Sequence, residues 1–246
     1  IFVCVRNDMY DILMGGTTHS DKYRNCEYIN WDNDSLINLL TERLKFNYLE
    51  NDEAISGDIF HDVFPKKVGR VYTEKWLLDR TLLRPRELIQ LVRKYTESTD
   101  VKDAEKLKKA EEMYSKWKLE DLCTEHKFLY PGLLDIFEFW KKEFYRSKYH
   151  MTKEEYEPII RKIFQKIDLQ EKWFKNLVDT DDIEGFMKIL YNIGFIGDFI
   201  RGGQGGNKVI YAYQEDGDSP RLKEIQIHPC FRKTLGVVER IRAKNN

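Results

Sequence analysis

The amino-acid sequence predicts a mainly α-helical protein with one strand of a parallel sheet at its start and a few antiparallel strands near its end. Three observations support this fold class. Residues 1–5 form an uninterrupted apolar run, residues 31–150 repeat apolar residues at helical spacing, and residues 151–246 hold three helical segments followed by alternating apolar ones. The chain is therefore expected to comprise three regions, 1–30, 31–150 and 151–246.

The bulk composition narrows the class of protein. In a chain of 246 residues, 41% hydrophobic residues allow a sizeable core, and a net charge of -1 gives no overall attraction to nucleic acid. No apolar run is long enough to span a membrane, and no signal peptide is recognisable. The four cysteines are scattered without a CxxC or Cys/His cluster, so we expect no zinc site or disulfide framework and a reducing, cytoplasmic location.

The opening segment IFVCV predicts a strand that is buried on both faces, because apolar residues do not alternate with polar ones. It ends in Arg6, Asn7 and Asp8, and polar groups beyond the carboxyl end of a parallel strand are well placed to bind a ligand. No later segment supplies partner strands, and the chain begins with Ile rather than Met, so we expect those strands upstream. The alternative is an edge strand of a small mixed sheet in which Arg6 pairs with Asp8.

The middle region is predicted to be a series of amphipathic helices. DNDSLINLLTERLKF begins with an Asp/Ser cap signal, and Glu74–Leu78 is expected to form a short helix after a long polar connection. KDAEKLKKAEEMYSKWKLEDL is expected to bury one apolar face and to leave its lysines solvated beside glutamates. PGLLDIFEFWKKEFY is the most apolar helix. The expected core positions are Leu36, Leu39, Leu40, Leu44, Leu107, Ala110, Tyr114, Trp117, Leu133, Phe137, Trp140 and Phe144.

The segment TLLRPRELIQLVRKY places two arginines at the start of a helix. Pro85 suits the first helical position, and the buried stripe is predicted at Leu88, Ile89, Leu91 and Val92. Positive charge at a helix N-terminus is unfavourable by about 0.3–1 kcal/mol. Arg84 and Arg86 beside free backbone N–H groups do, however, suit a phosphate. Pairing of Arg86 with Glu87, or with a carboxylate of a neighbouring helix, is an equally open interpretation.

The last region has the element order of a winged helix. Thr152 and Glu155 form a capping box before a helix that is expected to kink at Pro158, and two further helices lead to Gly194 as a C-terminal cap. FIGDFIR and KVIYAYQ then form a hairpin across the flexible tip GGQGGN, and KEIQIHP follows as a third strand. GGQGG joins strand to strand, so it is not a nucleotide-binding loop.

Charge argues against DNA binding by this region. Four acids lie in or just before the candidate recognition helix, whereas Lys188 is its single cation. Only Arg201 and Lys208 flank the hairpin tip, and two cations are few for contacts with DNA phosphates. The acids are Asp179, Asp181, Asp182 and Glu184. We therefore expect the region to pack against protein rather than DNA.

Three segments, taken in order, resemble a known family. They are VRNDMYDIL, then INWDNDSLINLLTERL with TLLRPRELIQLVRKY, and then the acidic C-terminal region. Together they resemble the C-terminal portion of bacterial P-loop ATPases of the AAA+/STAND type, many of whose relatives act in anti-phage defence or signalling. The chain is similar in particular to a family whose sensor strand ends Arg-x-Asp and whose lid carries Arg-Pro-Arg. LEDLCTEHKFLYPGLLDIFEFW is similar to that family's helical region.

The resemblance implies a role for each of the three regions. Residues 1–30 would be the end of the P-loop core, residues 31–150 the helical lid, and residues 151–246 a winged-helix domain. Trp31 and Arg43 match the helix that packs on the nucleotide domain.

The resemblance also implies four nucleotide-sensing residues. Arg6 and Asp8 would lie near the γ-phosphate as sensor-region residues. Arg84 and Arg86 would be lid residues that approach the phosphates.

The sequence lacks the two motifs that hold nucleotide in P-loop ATPases. It contains no G-x-x-x-x-G-K-[ST] loop and no apolar strand ending in paired acids, and without these a chain neither binds magnesium-ATP nor hydrolyses it. We expect ATP and Mg²⁺ in the full-length protein only. The expected partners are an upstream P-loop core, further copies in a homo-oligomer, or an effector domain.

The predicted function is therefore a C-terminal regulatory module that senses nucleotide phosphates and relays the ATP state to partner surfaces. A winged-helix module that binds DNA or protein is the alternative. The five histidines are isolated in the sequence, so no catalytic or metal-binding residue is predicted.

Overall fold

The structure is a computed structural model that describes Val5, Tyr10, Glu27 and residues 29–51, 54, 57–97, 104–202, 206–214 and 219–238. The chain divides into two units between Trp31 and Asp32, and nearly all described residues belong to the second. Of the predicted N-terminal strand only Val5 is described; it lies outside regular secondary structure with 43% of its surface exposed. Arg6, Asp8 and the rest of that strand lie outside the described residues.

The second unit is mainly helical and contains small antiparallel sheets. Its first half comprises α1 (Asn33–Glu50), α2 (Ile59–Val63), the two-stranded pair β1 (Lys67–Val68) and β2 (Val71–Tyr72), α3 (Thr73–Leu78), α4 (Pro85–Thr96), α5 (Ala104–Glu125) and α6 (Leu133–Glu143). Its second half comprises β3 (His150–Thr152), α7 (Lys153–Lys166), α8 (Lys172–Asp179), α9 (Ile183–Asn192), β4 (Ile196–Ile200), β5 (Lys208–Ile210), β6 (Glu224–Ile227) and α10 (Pro229–Leu235). The helices predicted from periodicity are thereby confirmed.

Local capping explains where several helices begin and end. The Asp32 carboxylate accepts the backbone N–H of Ser35 at 2.7 Å to start α1, and the capping box of Thr152 and Glu155 starts α7 as predicted. Gly194 follows α9 in the left-handed conformation with φ +80°, which a glycine adopts without strain. Helix α7 continues through Pro158, and the kink expected at this proline from the sequence stays a prediction.

The C-terminal strands form one antiparallel sheet in the order β3–β6–β4–β5. The predicted hairpin of β4 and β5 pairs Asp198 with Ile210, and β6 lies on the other edge of β4, where Ile196 pairs with Ile227. The buried Asp198 carboxylate accepts the N–H groups of Arg221 and Leu222, which directs the chain into β6. The segment KVIYAYQ is a strand only to Ile210, because the chain then turns into a 3₁₀ turn at Ala212–Gln214.

The C-terminal helix packs against the middle region rather than against its own sheet alone. Helix α10 makes its most extensive contact with α5, and the N–H of Thr234 donates to the Ser115 hydroxyl at 3.0 Å. Phe231 is fully buried and lies 5.2 Å from the Phe195 ring. Helix α10 therefore shares a core with helix α5 of the middle region as well as with its own sheet.

Most of the predicted core positions are buried, and the departures have a common cause. Leu39, Ile89, Trp117 and Phe144 are only half-buried because they lie at the margins of the helix stripes. The prediction that the charged face of α5 is fully solvated is wrong. Glu111 and Lys118 are 1% and 0% exposed, respectively, because they occupy the stripe that faces α4 and α3.

Candidate anion site at the α4–α5 interface

The two predicted lid arginines lie at the first turn of α4. Arg84 is the N-cap residue with extended backbone geometry, Pro85 is the first helical residue as predicted, and Arg86 follows. The side chains of Arg84 and Arg86 are 45% and 70% exposed. The sequence thus places two arginines at an accessible helix terminus.

Both arginines form ion pairs with α5. Arg84 Nη1 donates to both Glu125 carboxylate oxygens at 2.9 and 2.8 Å, and Arg86 Nη2 lies 2.9 Å from Asp121 Oδ1. We call Arg84–Glu125 and Arg86–Asp121 the rim pairs. Arg86 has thus taken the carboxylate of a neighbouring helix, one of the two interpretations that its position in the sequence left open.

A buried ion pair lies directly beneath the rim pairs. Glu87 Oε1 is 2.7 Å from Lys118 Nζ, and Glu87 Oε2 accepts the backbone N–H of Leu82 at 2.6 Å. Glu87 and Lys118 are 2% and 0% exposed, and Lys118 Nζ is also 3.4 Å from Asp121. Asp121 therefore connects the buried pair to the rim.

A second ion pair at the opposite end of this interface is nearly as well shielded. Arg80 Nε donates to the buried Glu111 at 2.5 Å, and Arg80 Nη1 donates to the Trp76 carbonyl at 3.2 Å. The Arg80 guanidinium stacks on the Trp76 ring, 3.8 Å from its centroid. We call Glu87–Lys118 and Arg80–Glu111 the buried pairs.

The buried pairs were not predicted from the sequence, although a signal for them exists. Glu111 and Lys118 fall on the same helical stripe as Leu107, Tyr114 and Leu122, at spacings of three and four residues. A charge in the middle of an apolar stripe indicates a buried partner, because an isolated buried charge is strongly unfavourable. The identity of that partner depends on which helix packs there.

Electrostatics at the rim favour the ionised carboxylate. Burial raises the pKa of Glu125, but the adjacent Arg84 guanidinium outweighs it, so the pKa of Glu125 lies below its usual value. Burial raises the pKa of Tyr114 well above its ordinary value, and the nearby Glu87 carboxylate adds to that effect. Tyr114 therefore stays neutral beside the charged network.

A hydrogen-bonded chain of three side chains lies where α10 begins. His228 Nδ1 accepts the N–H of Cys230 at 3.2 Å and lies 3.0 Å from its sulfur, while His228 Nε2 lies 3.0 Å from the Tyr213 hydroxyl. Because Nδ1 acts as an acceptor, the proton of the neutral ring is on Nε2, which donates to Tyr213. His228 and Cys230 are 1% and 0% exposed, so solutes do not reach these side chains. Their hydrogen bonds serve to cap α10.

The buried surroundings of His228 keep its imidazole neutral. Burial, reinforced by the Arg232, Lys118 and Arg80 charges, lowers the pKa of His228 well below its ordinary value. Burial likewise raises the pKa of the Cys230 thiol well above its ordinary value. A thiol of this kind is a poor nucleophile.

Of the other residues that the family resemblance singles out, the structure describes only Trp31 and Arg43. Arg6 and Asp8 lie outside the described residues. Trp31 is half-buried, and Arg43 is exposed on α1. In the described part of the chain no group of three His, Cys, Asp or Glu residues could hold a metal ion, and no helix is both long and apolar enough to cross a bilayer.

Two of the cations around α9 and the β4–β5 hairpin form ion pairs with acids. Lys188 pairs with Glu184 at 2.7 Å, and Arg201 pairs with Glu224. Asp182 caps α9 by accepting the N–H of Gly185 at 2.8 Å. Asp182 and Glu184 therefore have structural partners, while the expectation that this region packs against protein rather than DNA stays a prediction.

Comparison with known proteins matches one family over part of the chain. Residues 34–123 match the model of the FunZ-associated C-terminal helical domain, a range that runs from α1 to the last turn of α5. It includes Arg84, Arg86 and the four residues of the buried pairs. No curated protein and no solved structure matches the chain.

Proposed function

We propose that this chain is the C-terminal regulatory module of a P-loop ATPase and that Arg84 and Arg86 sense the nucleotide phosphates. The observation that carries the proposal is that a buried ion pair and two exposed arginines lie side by side in the first turn of α4. The buried Glu87–Lys118 pair fixes α4 against α5, while the arginines beside it remain 45% and 70% exposed. The description of the matched family as a C-terminal domain supports a position at the end of a longer protein.

The rim pairs suit a sensor because their partners are exchangeable. The guanidinium groups of these pairs reach solvent, although the carboxylates are only 14% exposed, so a phosphate that offers more negative charge can approach the arginines and displace the carboxylates. Arginine can bind phosphate through two parallel hydrogen bonds, whereas here only the Nη1 nitrogen of Arg84 donates to Glu125. ATP would thus compete with Glu125 and Asp121 for the same guanidinium groups.

The described residues fit the phosphates of ATP but not its metal. The two arginines supply charge and hydrogen-bond donors, whereas these residues offer no cluster of metal ligands. Bound ATP and Mg²⁺ would supply the phosphoryl-transfer chemistry, and the upstream P-loop core would hold them. Arg84 and Arg86 would bind and orient the phosphates at the edge of that site.

Helix α5 is the element that could relay the nucleotide state. It carries both rim carboxylates near its C-terminus and contacts α10 through Ser115 and Thr234. A ligand shifts a conformational equilibrium only through contacts that differ between the states. Transfer of Arg84 and Arg86 from α5 to phosphate is such a difference, and it would change how α5 supports the C-terminal region.

The C-terminal region is proposed to act as a winged helix that contacts protein. Three helices, α7 to α9, are followed by the β4–β5 hairpin, and Lys188 and Arg201 of that region are paired with acids. The resemblance to defence-related ATPases makes an effector domain or further copies of the chain the proposed partners. Salt-sensitive binding to random duplex DNA would contradict this part of the proposal.

The test is the ATP affinity and turnover of the natural full-length protein. Loss of charge-assisted hydrogen bonds in Arg84→Ala/Arg86→Ala is expected to weaken ATP binding by roughly tenfold or more. Arg93→Ala is the matched control, because Arg93 lies on the same helix and pairs with Glu97 at 2.6 Å. Unchanged affinity and turnover in the double variant would remove the arginines from the nucleotide site.

A further inference from the structure

We propose that the groove between the β1–β2 turn, α3 and α5 is a second anion site, which binds a small compound carrying a diphosphate group. The groove has a volume of about 580 Å³ and is lined by Arg70, Trp76, Asp79, Arg80 and Lys108, with residues 68–71 of the turn forming one wall. Its size suits a small phosphorylated molecule.

Three separate elements bring their cations to this groove. Arg70 lies in the β1–β2 turn, Arg80 follows α3, and Lys108 lies in the first turns of α5. Because these positions are far apart in sequence, only the tertiary structure places them together. The lining residues comprise three cations and one acid, Asp79.

Among the residues that the structure describes, the acids near the groove compensate this positive charge only in part. The buried Glu111 neutralises Arg80, Glu105 lies 2.6 Å from Lys108, and Asp79 pairs with Lys75 at 2.9 Å. The Lys108 and Lys75 pairs are exposed and therefore weak. Arg70 is exposed at the end of the turn, and Asp79, the one acid among the described lining residues, pairs with Lys75 instead.

The adjoining surface adds further positive charge. Lys66 and Lys67 precede the turn and are exposed, and Lys67 Nζ lies 4.5 Å from the centroid of the exposed Tyr72 ring. Gly69 adopts φ +65°, which allows the tight turn that holds Arg70 beside the groove. Charge concentrated in a concave surface attracts small anions.

The groove is distinct from the rim pairs. Lys108 and Asp121 are thirteen residues apart on the continuous helix α5, which corresponds to about 20 Å along its axis. One diphosphate cannot span that distance. The groove proposal therefore does not depend on the proposed nucleotide-sensing role of Arg84 and Arg86.

The experiment is a calorimetric titration of the natural full-length protein with inorganic pyrophosphate. The test variant is Arg70→Gln/Lys108→Gln. The control variant is Lys45→Gln/Arg93→Gln, which also removes one lysine and one arginine. Lys45 matches Lys108 closely, because it pairs with Glu42 three residues away at 2.7 Å on another helix. Circular dichroism and thermal unfolding establish that both variants fold.

The expected result is loss of one pyrophosphate site, or weakening of that site by about tenfold, in the test variant and not in the control. The weakening should diminish as salt is raised, since it depends on charge. Equal binding by the wild-type protein and both variants would overturn the proposal. Pyrophosphate binding that is lost only in Arg84→Ala/Arg86→Ala would also overturn it, because the anion would then occupy the rim.

A single-stranded DNA 12-mer titrated in the same way distinguishes a small ligand from a nucleic acid. The proposal predicts that the oligonucleotide binds no more tightly than pyrophosphate. Binding of the oligonucleotide that is at least about a hundredfold tighter and requires Arg70 and Lys108 would overturn the small-ligand assignment.

Discussion

The interface between α4 and α5 contains two kinds of ion pair that differ in their surroundings rather than in their chemistry. Glu87 and Lys118 have almost no exposed surface. Arg84 and Arg86, in the same first turn of α4, are 45% and 70% exposed, although their carboxylate partners are each only 14% exposed. Removal of one partner from a buried pair costs about 3–5 kcal/mol, and a surface pair is worth about 0–1 kcal/mol. The buried pair therefore fixes the position of α4, and the rim pairs are free to exchange partners.

The largest expected effect is on the buried pair. Lys118→Met leaves the Glu87 carboxylate without its counter-ion and is expected to lower the free energy of unfolding by about 3–5 kcal/mol. Urea unfolding of the chain measures this change.

A double variant checks the reason for that loss. Glu87→Gln/Lys118→Met should recover most of the stability, because glutamine still accepts the Leu82 N–H and no unpaired charge remains buried at this position. A loss below about 1 kcal/mol in Lys118→Met would contradict the distinction between buried and rim pairs.

The next largest effect is on the pH dependence of stability and comes from the buried residue His228. Its folded-state pKa lies below the ordinary value, so its contribution to stability is complete above about pH 6.5 and is lost as the pH falls further. Below that pH, His228 is expected to lower the free energy of unfolding by up to about 1.4 kcal/mol per pH unit.

Comparison with His228→Asn isolates this contribution, since asparagine can still accept the Cys230 N–H as a helix cap. Unfolding measured between pH 5 and pH 7.5 should show a flatter pH dependence for the variant. The same slope in both proteins would mean that folding does not change the pKa of His228 and would contradict the neutral buried imidazole.

The smallest effect on stability is expected at the rim. Arg84→Ala and Arg86→Ala should each change the free energy of unfolding by no more than about 1 kcal/mol, and less at 1 M salt, because exposed pairs are screened. Thermal unfolding at two salt concentrations measures this. A loss of 3 kcal/mol or more from either change would assign the arginine a structural role like that of Lys118.

Features that are set by residues close together in the sequence could be predicted from it. Local signals give the helix bounds, since Pro85 fixes the start of α4, Thr152 and Glu155 start α7, and Gly194 ends α9. The positions of Arg84 and Arg86 at a helix terminus were predictable for that reason.

Features that depend on distant residues were not predictable. The Glu87–Lys118 pair joins residues 31 positions apart, and β6 pairs with β3, about 75 residues earlier, as well as with β4. The choice of Arg86 between phosphate and a neighbouring carboxylate also depends on Asp121, which lies on another helix. Periodicity indicates that Lys118 faces the interior but cannot name what it meets there.

The central claim is that Arg84 is shared between Glu125 and a nucleotide phosphate, and one measurement tests it most directly. The ATP affinity of the natural full-length protein is compared with that of Glu125→Gln, which removes the partner of Arg84. Glu97→Gln is the control, because Glu97 pairs with another arginine of α4, Arg93. Removal of the competing charge should tighten ATP binding by about two- to fivefold, while the control stays unchanged. Unchanged or weaker ATP binding by Glu125→Gln would contradict the account and leave the Arg84–Glu125 pair as a structural contact.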